Sequence, residues 1–295
     1  MRNSAFPAMK HLPFFLNGLK KDRDAFVKFV SDSIEMRKSS IDLGEHMDRP
    51  DILQMYLNSH DFKTNKKLTD QELISESLTM LMAGTDTTSV TMTMLIHMYM
   101  LYPKVYKNVV SEVRAAFPVI SETIKYSEAK SNLPYLVATV YECMRIAPIA
   151  AGLFFRDSSS EGLVLSNKHI PRDTEMGMFI EGANKDPTVW ENPDSFYPER
   201  FMGPKGELLK REMITFSHGV RICPGRNLAW MEILTVIPNL LRDYDLSLPL
   251  NSIYNPDNLD PTRNFEPKFL ESKVYIVRSP LNPDRDCNVI ISHRK

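Results

Sequence analysis

From the capping box Thr69-Asp70-Gln71-Glu72 to Tyr102-Pro103, nothing in this sequence stops a helix. In such a box the threonine hydroxyl accepts from the N–H three residues on, and the glutamate reaches back to the threonine N–H. At 1.5 Å per residue the predicted helix is about 50 Å long, enough to cross a whole domain. Its middle is apolar nearly all round, the pattern of a core helix rather than a surface one.

Inside that helix, Ala83-Gly84-Thr85-Asp86-Thr87-Thr88 is a run of poor helix formers. A glycine and several threonines in mid-helix allow a kink or widened turn, because threonine hydroxyls satisfy carbonyls that the ladder abandons. A threonine stripe packed closely on another helix is the plainer reading. An Asp86 buried in such a helix argues against it, since an unpaired carboxylate there is expensive.

A second constellation is Phe216-Ser217-His218-Gly219-Val220-Arg221-Ile222-Cys223-Pro224-Gly225, which runs straight into a helical pattern. Phe216 and Gly219 suit a tight loop, and Gly219 and Gly225 let backbone come close to a flat ligand. Cys223 is expected where Pro224 opens a helix, beside the cation of Arg221. The helix dipole and the guanidinium both favour the thiolate, the form that binds metal. An arbitrary lone cysteine at a loop-to-helix junction is more often a small buried apolar residue. His218 lies five residues before this better ligand and reads as an ordinary loop histidine.

The remaining chain reads as helices with a late set of strands. Helices are expected from about Lys20 to Lys38, with Ala25, Phe26, Phe29, Val30 and Ser33 on one side, from Asp51 to Asn58, and from Pro103 to Phe117. Lys63 to Leu68 is a surface loop. Leu133 to Ile146 is a further helix, on which Glu142 and Arg145 share a face at i, i+3. Leu153 to Arg156 and Leu163 to Leu165 are short strands of a small sheet, closed by strands at Leu246 to Leu250, Val274 to Val277 and Val289 to Ser292. Residues 182–215 read as mostly irregular, and a helix is expected from Pro224 to about Leu241.

With 43% hydrophobic residues and a formal net charge of -1, the chain can bury a large core and has no electrostatic footprint for nucleic acid. Cys143, Cys223 and Cys287 are too few and too scattered for a disulfide framework or a tetrahedral zinc site, which favours a reducing compartment. Residues 1–12 lack the apolar run of a membrane helix or signal peptide.

The spacing from Phe216 to Gly225 resembles, position for position, the F-x-x-G-x-R-x-C-x-G haem-binding loop of the cytochrome P-450 superfamily. Residues 83–88 resemble its [AG]-G-x-[DE]-T-[TS] signature. Glu142 and Arg145 look like its E-x-x-R, with the later arginine supplied by Arg200 in the aromatic-rich run from Asn192 to Phe201. The resemblance implies a mainly α fold with a small β portion, the carboxyl half to two-thirds of the cytochrome P-450 fold. Residues 1–295 would be a single incomplete haem-thiolate oxygenase domain lacking the amino-terminal helices and membrane anchor of a eukaryotic microsomal-type member.

By that resemblance Cys223 is the axial iron ligand of haem b (iron protoporphyrin IX), and Phe216, Gly219 and Gly84 lie against the cofactor. Arg221 and Arg156 anchor its propionates. Asp86 and Thr87 deliver protons, because splitting an O–O bond in a dry pocket needs two of them in sequence. Glu142, Arg145 and Arg200 form a stiff brace behind the cysteine loop. The implied activity is a monooxygenase that inserts one atom of dioxygen into a hydrophobic small molecule. Electrons would come from a separate NADPH-dependent reductase, since no G-x-G-x-x-G fingerprint precedes a helix here.

Leu78, Met82, Ile149, Ala150, Ala151 and Leu153 are candidates for the substrate cavity. The full-length form is expected on the cytoplasmic face of the endoplasmic reticulum membrane, and the chain as written, with no anchor, in the cytoplasm. Two alternatives stand beside this reading: a same-fold haem enzyme that rearranges or dehydrates its substrate, and a haem-free, non-catalytic helical scaffold. Missing one wall of the site, these 295 residues alone are expected to bind haem weakly or not at all.

Overall fold

The computed structural model describes residues 13–44, 50–120, 122–274 and 277–294. The expected loop over residues 1–12 therefore lies outside the described residues. In chain order the helices are α1 (Pro13–Asp42), α2 (Ile52–Asn58), α3 (Asp70–Leu101), α4 (Pro103–Ala116), α5 (Tyr126–Asn132), α6 (Pro134–Ile146), α7 (Ile180–Ala183), α8 (Gly203–Glu212), α9 (Arg226–Asp243) and α10 (Pro283–Asp286). The strands are β1 (Leu153–Asp157), β2 (Leu163–Leu165), β3 (Lys168–Ile170), β4 (Glu175–Phe179), β5 (Tyr244–Ser247), β6 (Leu259–Asp260), β7 (Glu266–Pro267), β8 (Ser272–Val274), β9 (Arg278–Pro280) and β10 (Ile290–His293). The fold is mainly helical, and the backbone packs as two compact units, residues 1–84 and 85–295.

In the first unit the capping box forms as its residues require. Thr69 Oγ1 accepts from the Glu72 N–H at 3.3 Å, and Glu72 Oε2 accepts from the Thr69 N–H at 2.8 Å. Val30, Ile34 and Leu73 are buried, with Leu53, Tyr56, Leu57, Leu68, Ile74 and Leu78 packed round them. Arg37 forks onto Asp51, which also caps α2 by accepting from the Gln54 N–H at 2.9 Å. The buried stripe of α1 is rotated from the expected one: Ala25 and Phe29 are exposed, and Val30 pairs with Ile34 at i, i+4 because Leu73 packs there.

In the second unit the end of α3 is the core. Met94, Leu95, Met98, Tyr99 and Leu101 are buried among Val105, Val109 and Val113 of α4, Leu136, Val140 and Met144 of α6, and Ile233, Leu234, Ile237 and Leu241 of α9. Thr139 donates to the Leu136 carbonyl, so the Tyr99 hydroxyl, 2.7 Å from Thr139 Oγ1, is the donor in that pair. This bond is fully buried and pins α3 to α6. Glu112 on α4 accepts from the Tyr135 and Leu136 N–H groups, each at 2.8 Å, which satisfies the first turn of α6.

Several expectations are corrected. α5 and α8 fall where no helix was expected, α8 within the stretch read as irregular. α8 lies against the 3₁₀ turn Pro198–Phe201, and a Cβ on Gly206 would sit 2.2 Å from the Phe201 carbonyl carbon, so only glycine permits that approach. Among the described residues the strands form separate antiparallel pairs, β1–β4, β2–β3, β5–β10, β6–β7 and β8–β9, rather than one small sheet. The strand expected over Val274 to Val277 falls partly on residues 275–276, outside the described residues. α9 begins at Arg226, not Pro224, because Pro224-Gly225 forms a turn ahead of it and Gly225 is the N-cap.

Candidate active site

The cysteine loop is held by its own backbone. Ser217 donates its N–H to the Ile214 carbonyl at 2.8 Å, Ile222 to Gly219 at 3.1 Å, and Cys223 to Phe216 at 2.8 Å. Closing so short a circuit takes two left-handed residues, Ser217 at φ 60 and Gly219 at φ 67. The loop is rooted in α9, whose Trp230, Ile233, Leu234, Ile237 and Leu241 are buried.

The tip, by contrast, faces outward. Cys223 is free and exposed, and its thiol makes no hydrogen bond to any described residue. Beside it Val220 is 102% exposed and Ile222 42%, an apolar display turned to solvent. Arg221 is exposed and has no carboxylate partner among the described residues. A Cβ on Gly225 would lie 3.9 Å from Cys223 Sγ, and one on Gly219 would meet nothing within 4 Å. Gly219 is thus required by its φ rather than by crowding.

Arg156 lies on β1 opposite Met176, exposed, with its guanidinium bonded among the described residues only to the Phe155 carbonyl, at 2.7 Å. On the same ribbon Leu153, Phe155 and Phe179 are exposed. Leu153 pairs with Phe179 in register, which makes a second apolar face.

Asp86 is exposed, which corrects the expectation of a buried carboxylate. Burial along α3 is heavy only from Thr88 and Thr91 onward, so Asp86 keeps its hydration and bears no desolvation cost. Thr87 is half-buried, and its carbonyl accepts from the Thr91 hydroxyl at 2.7 Å. That bond is made without a widened turn, since α3 is α-helical throughout. Gly84 is the last residue of the first unit, and a Cβ built on it meets nothing within 4 Å.

Glu142, Arg145 and Arg200 are brought together. Arg145 forks onto Glu142 with Nε–Oε2 2.9 Å and NH2–Oε1 2.8 Å, and Arg200 Nε reaches Oε1 at 3.1 Å. The Tyr197 N–H adds a further donor to Oε1 at 2.9 Å. The spare donors of Arg145 go to the carbonyls of Asn184, Pro193 and Ser195, and those of Arg200 to Glu191 and Asn192. All five N–H groups of Arg145 find acceptors and both oxygens of Glu142 accept, as burial of charge demands. Sequence reasoning missed Tyr197, which contributes through its backbone and leaves no signal in residue identity.

The residues present fit a haem in the chemistry they offer: a thiol and two arginines that have, among the described residues, no hydrogen-bond and no carboxylate partner respectively, and apolar side chains exposed on the same loop and strand ribbon. No described group of three or more His, Cys, Asp or Glu could hold a bare metal ion.

Comparison with known proteins agrees. The cytochrome P-450 family model matches residues 3–269, and the chain belongs to that family. It is 39% identical over 271 residues to the cytochrome P-450 monooxygenase helB2 of Aspergillus fumigatus, covering 92% of this chain and 52% of that protein. To helB1 of the same fungus it is 37% identical over 267 residues, covering 90% and 45%. The chain spans about half the length of the curated relatives it matches. A crystal structure of a cytochrome P-450 (CYP102L1) superposes with a TM-score of 0.77 at 20% identity, over 94% of this chain and 57% of that one. That likeness carries the fold alone.

Proposed function

We propose that this chain supplies the cysteine-bearing part of a haem-thiolate monooxygenase, as one incomplete oxygenase domain, acting on a hydrophobic small molecule. The observation that carries the reading is the exposed, unbonded Cys223 thiol at the tip of a backbone-locked loop, in a chain of the cytochrome P-450 family. Cys223 would give its thiolate to the iron of haem b, Arg221 and Arg156 would hold its carboxylates by charge-assisted bonds, and Phe216, Gly219 and Gly84 would lie against the ring. When bound, the haem iron supplies the activation of dioxygen.

The work of the chain itself is placement and proton supply. The Cys223–Phe216 backbone bond holds the main chain that carries the sulfur, and the ion pairs of Glu142 with Arg145 and Arg200 tie the end of α6 to the run before α8. Asp86, in contact with water, would take up protons and Thr87 would pass them inward. Electrons would come from a separate NADPH-dependent reductase. In this reading the whole protein would work at the cytoplasmic face of the endoplasmic reticulum membrane. No helix among the described residues is long and apolar enough to cross a membrane.

The test is the carbon monoxide difference spectrum of the reduced protein after reconstitution with hemin, recorded for the 295 residues and for a chimaera carrying the amino-terminal half of helB2. A thiolate-type Soret band, weak in the first, strong in the second and abolished in both by Cys223→Ser, is the expected result. A band that survives Cys223→Ser overturns the assignment.

A further inference from the structure

Behind the cysteine loop is a cleft of about 340 Å³ that the proposed chemistry leaves unused. Its volume is at the small end of the roughly 300–1,000 Å³ typical of ligand pockets. Its inner wall is aromatic and apolar, with Tyr141, Phe216, Trp230, Met144 and Met213. Tyr141 and Trp230 have ring centroids 4.8 Å apart. The rim carries Lys210, Arg211, Arg226 and His218 against a single carboxylate, Glu207.

The charges do not cancel. Glu207 is taken by Lys210, whose Nζ is 2.5 Å from Oε1 and 5.4 Å from the centre of the Tyr141 ring. Arg211 and Arg226 are exposed and have no carboxylate partner among the described residues. Arg211 at the end of α8 is explained by its own helix, where a cation meets the negative end of the dipole. Arg226 is not. It is the first residue of the 18-residue α9, where a cation is disfavoured, and no side chain caps that end. Two elements thus bring guanidiniums without a carboxylate partner among the described residues to one small aromatic-walled cleft, a surplus of positive charge that an anion would neutralise.

We propose that this cleft binds a phosphate monoester carried on a planar aromatic body, the chemistry of a nucleoside monophosphate. Arg211 and Arg226 grip the phosphate by charge-assisted bonds, the Tyr141 hydroxyl, which has no hydrogen-bond partner among the described residues, adds a donor, and the base lies on the Tyr141 and Trp230 edge. A bare anion would leave the aromatic wall unused, and an uncharged aromatic would leave both arginines unpaired. Of the side chains lining the cleft only Phe216 is also given a part beside the cofactor, and Arg211, Arg226, Tyr141 and Trp230 are not, so the two readings can fail separately.

The full 295-residue chain is titrated with adenosine monophosphate, followed by tryptophan fluorescence and by calorimetry. Trp230 lines the cleft, while the other tryptophan, Trp190, is 1% exposed. Saturable quenching is expected, with inorganic phosphate competing but binding at least about tenfold more weakly. Arg211→Gln with Arg226→Gln is expected to weaken the nucleotide at least about tenfold with an unchanged circular dichroism spectrum, since neither side chain supports the fold. Lack of saturable binding, undiminished binding by the double variant, or binding of polyglutamate without adenosine monophosphate would each overturn the proposal, the last in favour of an acidic protein.

Discussion

Arg200 Nε lies 3.1 Å from Glu142 Oε1 across 58 residues of chain, with the Glu142 side chain 0% exposed. The carboxylate holds the end of α6 to the irregular run before α8, and it does so where water cannot compensate a lost partner. Glu142→Gln leaves two guanidiniums buried without their counter-charge and is expected to cost about 3–5 kcal/mol. Urea denaturation of the variant checks this, and a loss below about 1 kcal/mol would show the brace to be dispensable.

Ser217 and Gly219 hold the left-handed conformations of the cysteine loop. Ser217→Gly should therefore stabilise the protein by about 1 kcal/mol, and Gly219→Ala should destabilise it by about the same, the cost of an L-residue in that region. Because nothing lies within 4 Å of a Cβ at Gly219, the alanine penalty is conformational only. A loss several times larger, read by thermal unfolding, would mean that the loop is crowded after all.

His97 is 7% exposed, and its Nε2 accepts from the Leu270 N–H at 3.2 Å, with the Tyr254 ring edge-on at 5.7 Å and Asp286 and Cys287 lining the same small cavity. Burial lowers its pKa from 6.5 to about 3, against a weaker opposite pull from Asp286. The unfolded chain takes up a proton below about pH 6.5 and the folded one does not until about pH 3, so this stability is complete above pH 6.5 and lost between the two. The loss is up to about 1.4 kcal/mol per pH unit. His97→Gln keeps an acceptor for Leu270 and should flatten the stability profile between pH 6.5 and 4. An unchanged slope would remove His97 as its source.

Arg278 fastens the segment between α6 and β1. Its N–H donates to Ile149 at 2.7 Å, its Nε to Pro148 at 3.2 Å, and its NH2 pairs with Glu181 at 2.6 Å. Arg278→Lys can keep the ion pair but not the fork, and is expected to cost about 1–2 kcal/mol. Faster amide exchange confined to β1 and β4 would be the local signature, and uniform acceleration across α6 and α9 would contradict it.

What could be read from the sequence divides by range. Thr69 with Glu72 and Glu142 with Arg145 are contacts three residues apart, so helical geometry alone places them. Arg200 was legible only through the motif, and its third companion, the Tyr197 amide, not at all. α8 escaped notice because Gly203, Pro204 and Gly206 are breakers by propensity, yet they serve there as an entry turn and a close approach to Phe201. Asp86 was expected inside because its helix is apolar on average, but burial varies along that helix and no average reports where it begins.

The contrast between the sunken root of α9 and the bare lip of the cysteine loop has a thermodynamic consequence. Trp230, Ile233 and Leu234 immobilise the helix from its second turn, and the Cys223–Phe216 bond closes the lip above it. The main chain that carries the sulfur is therefore ordered before any guest arrives, and docking forfeits little backbone freedom.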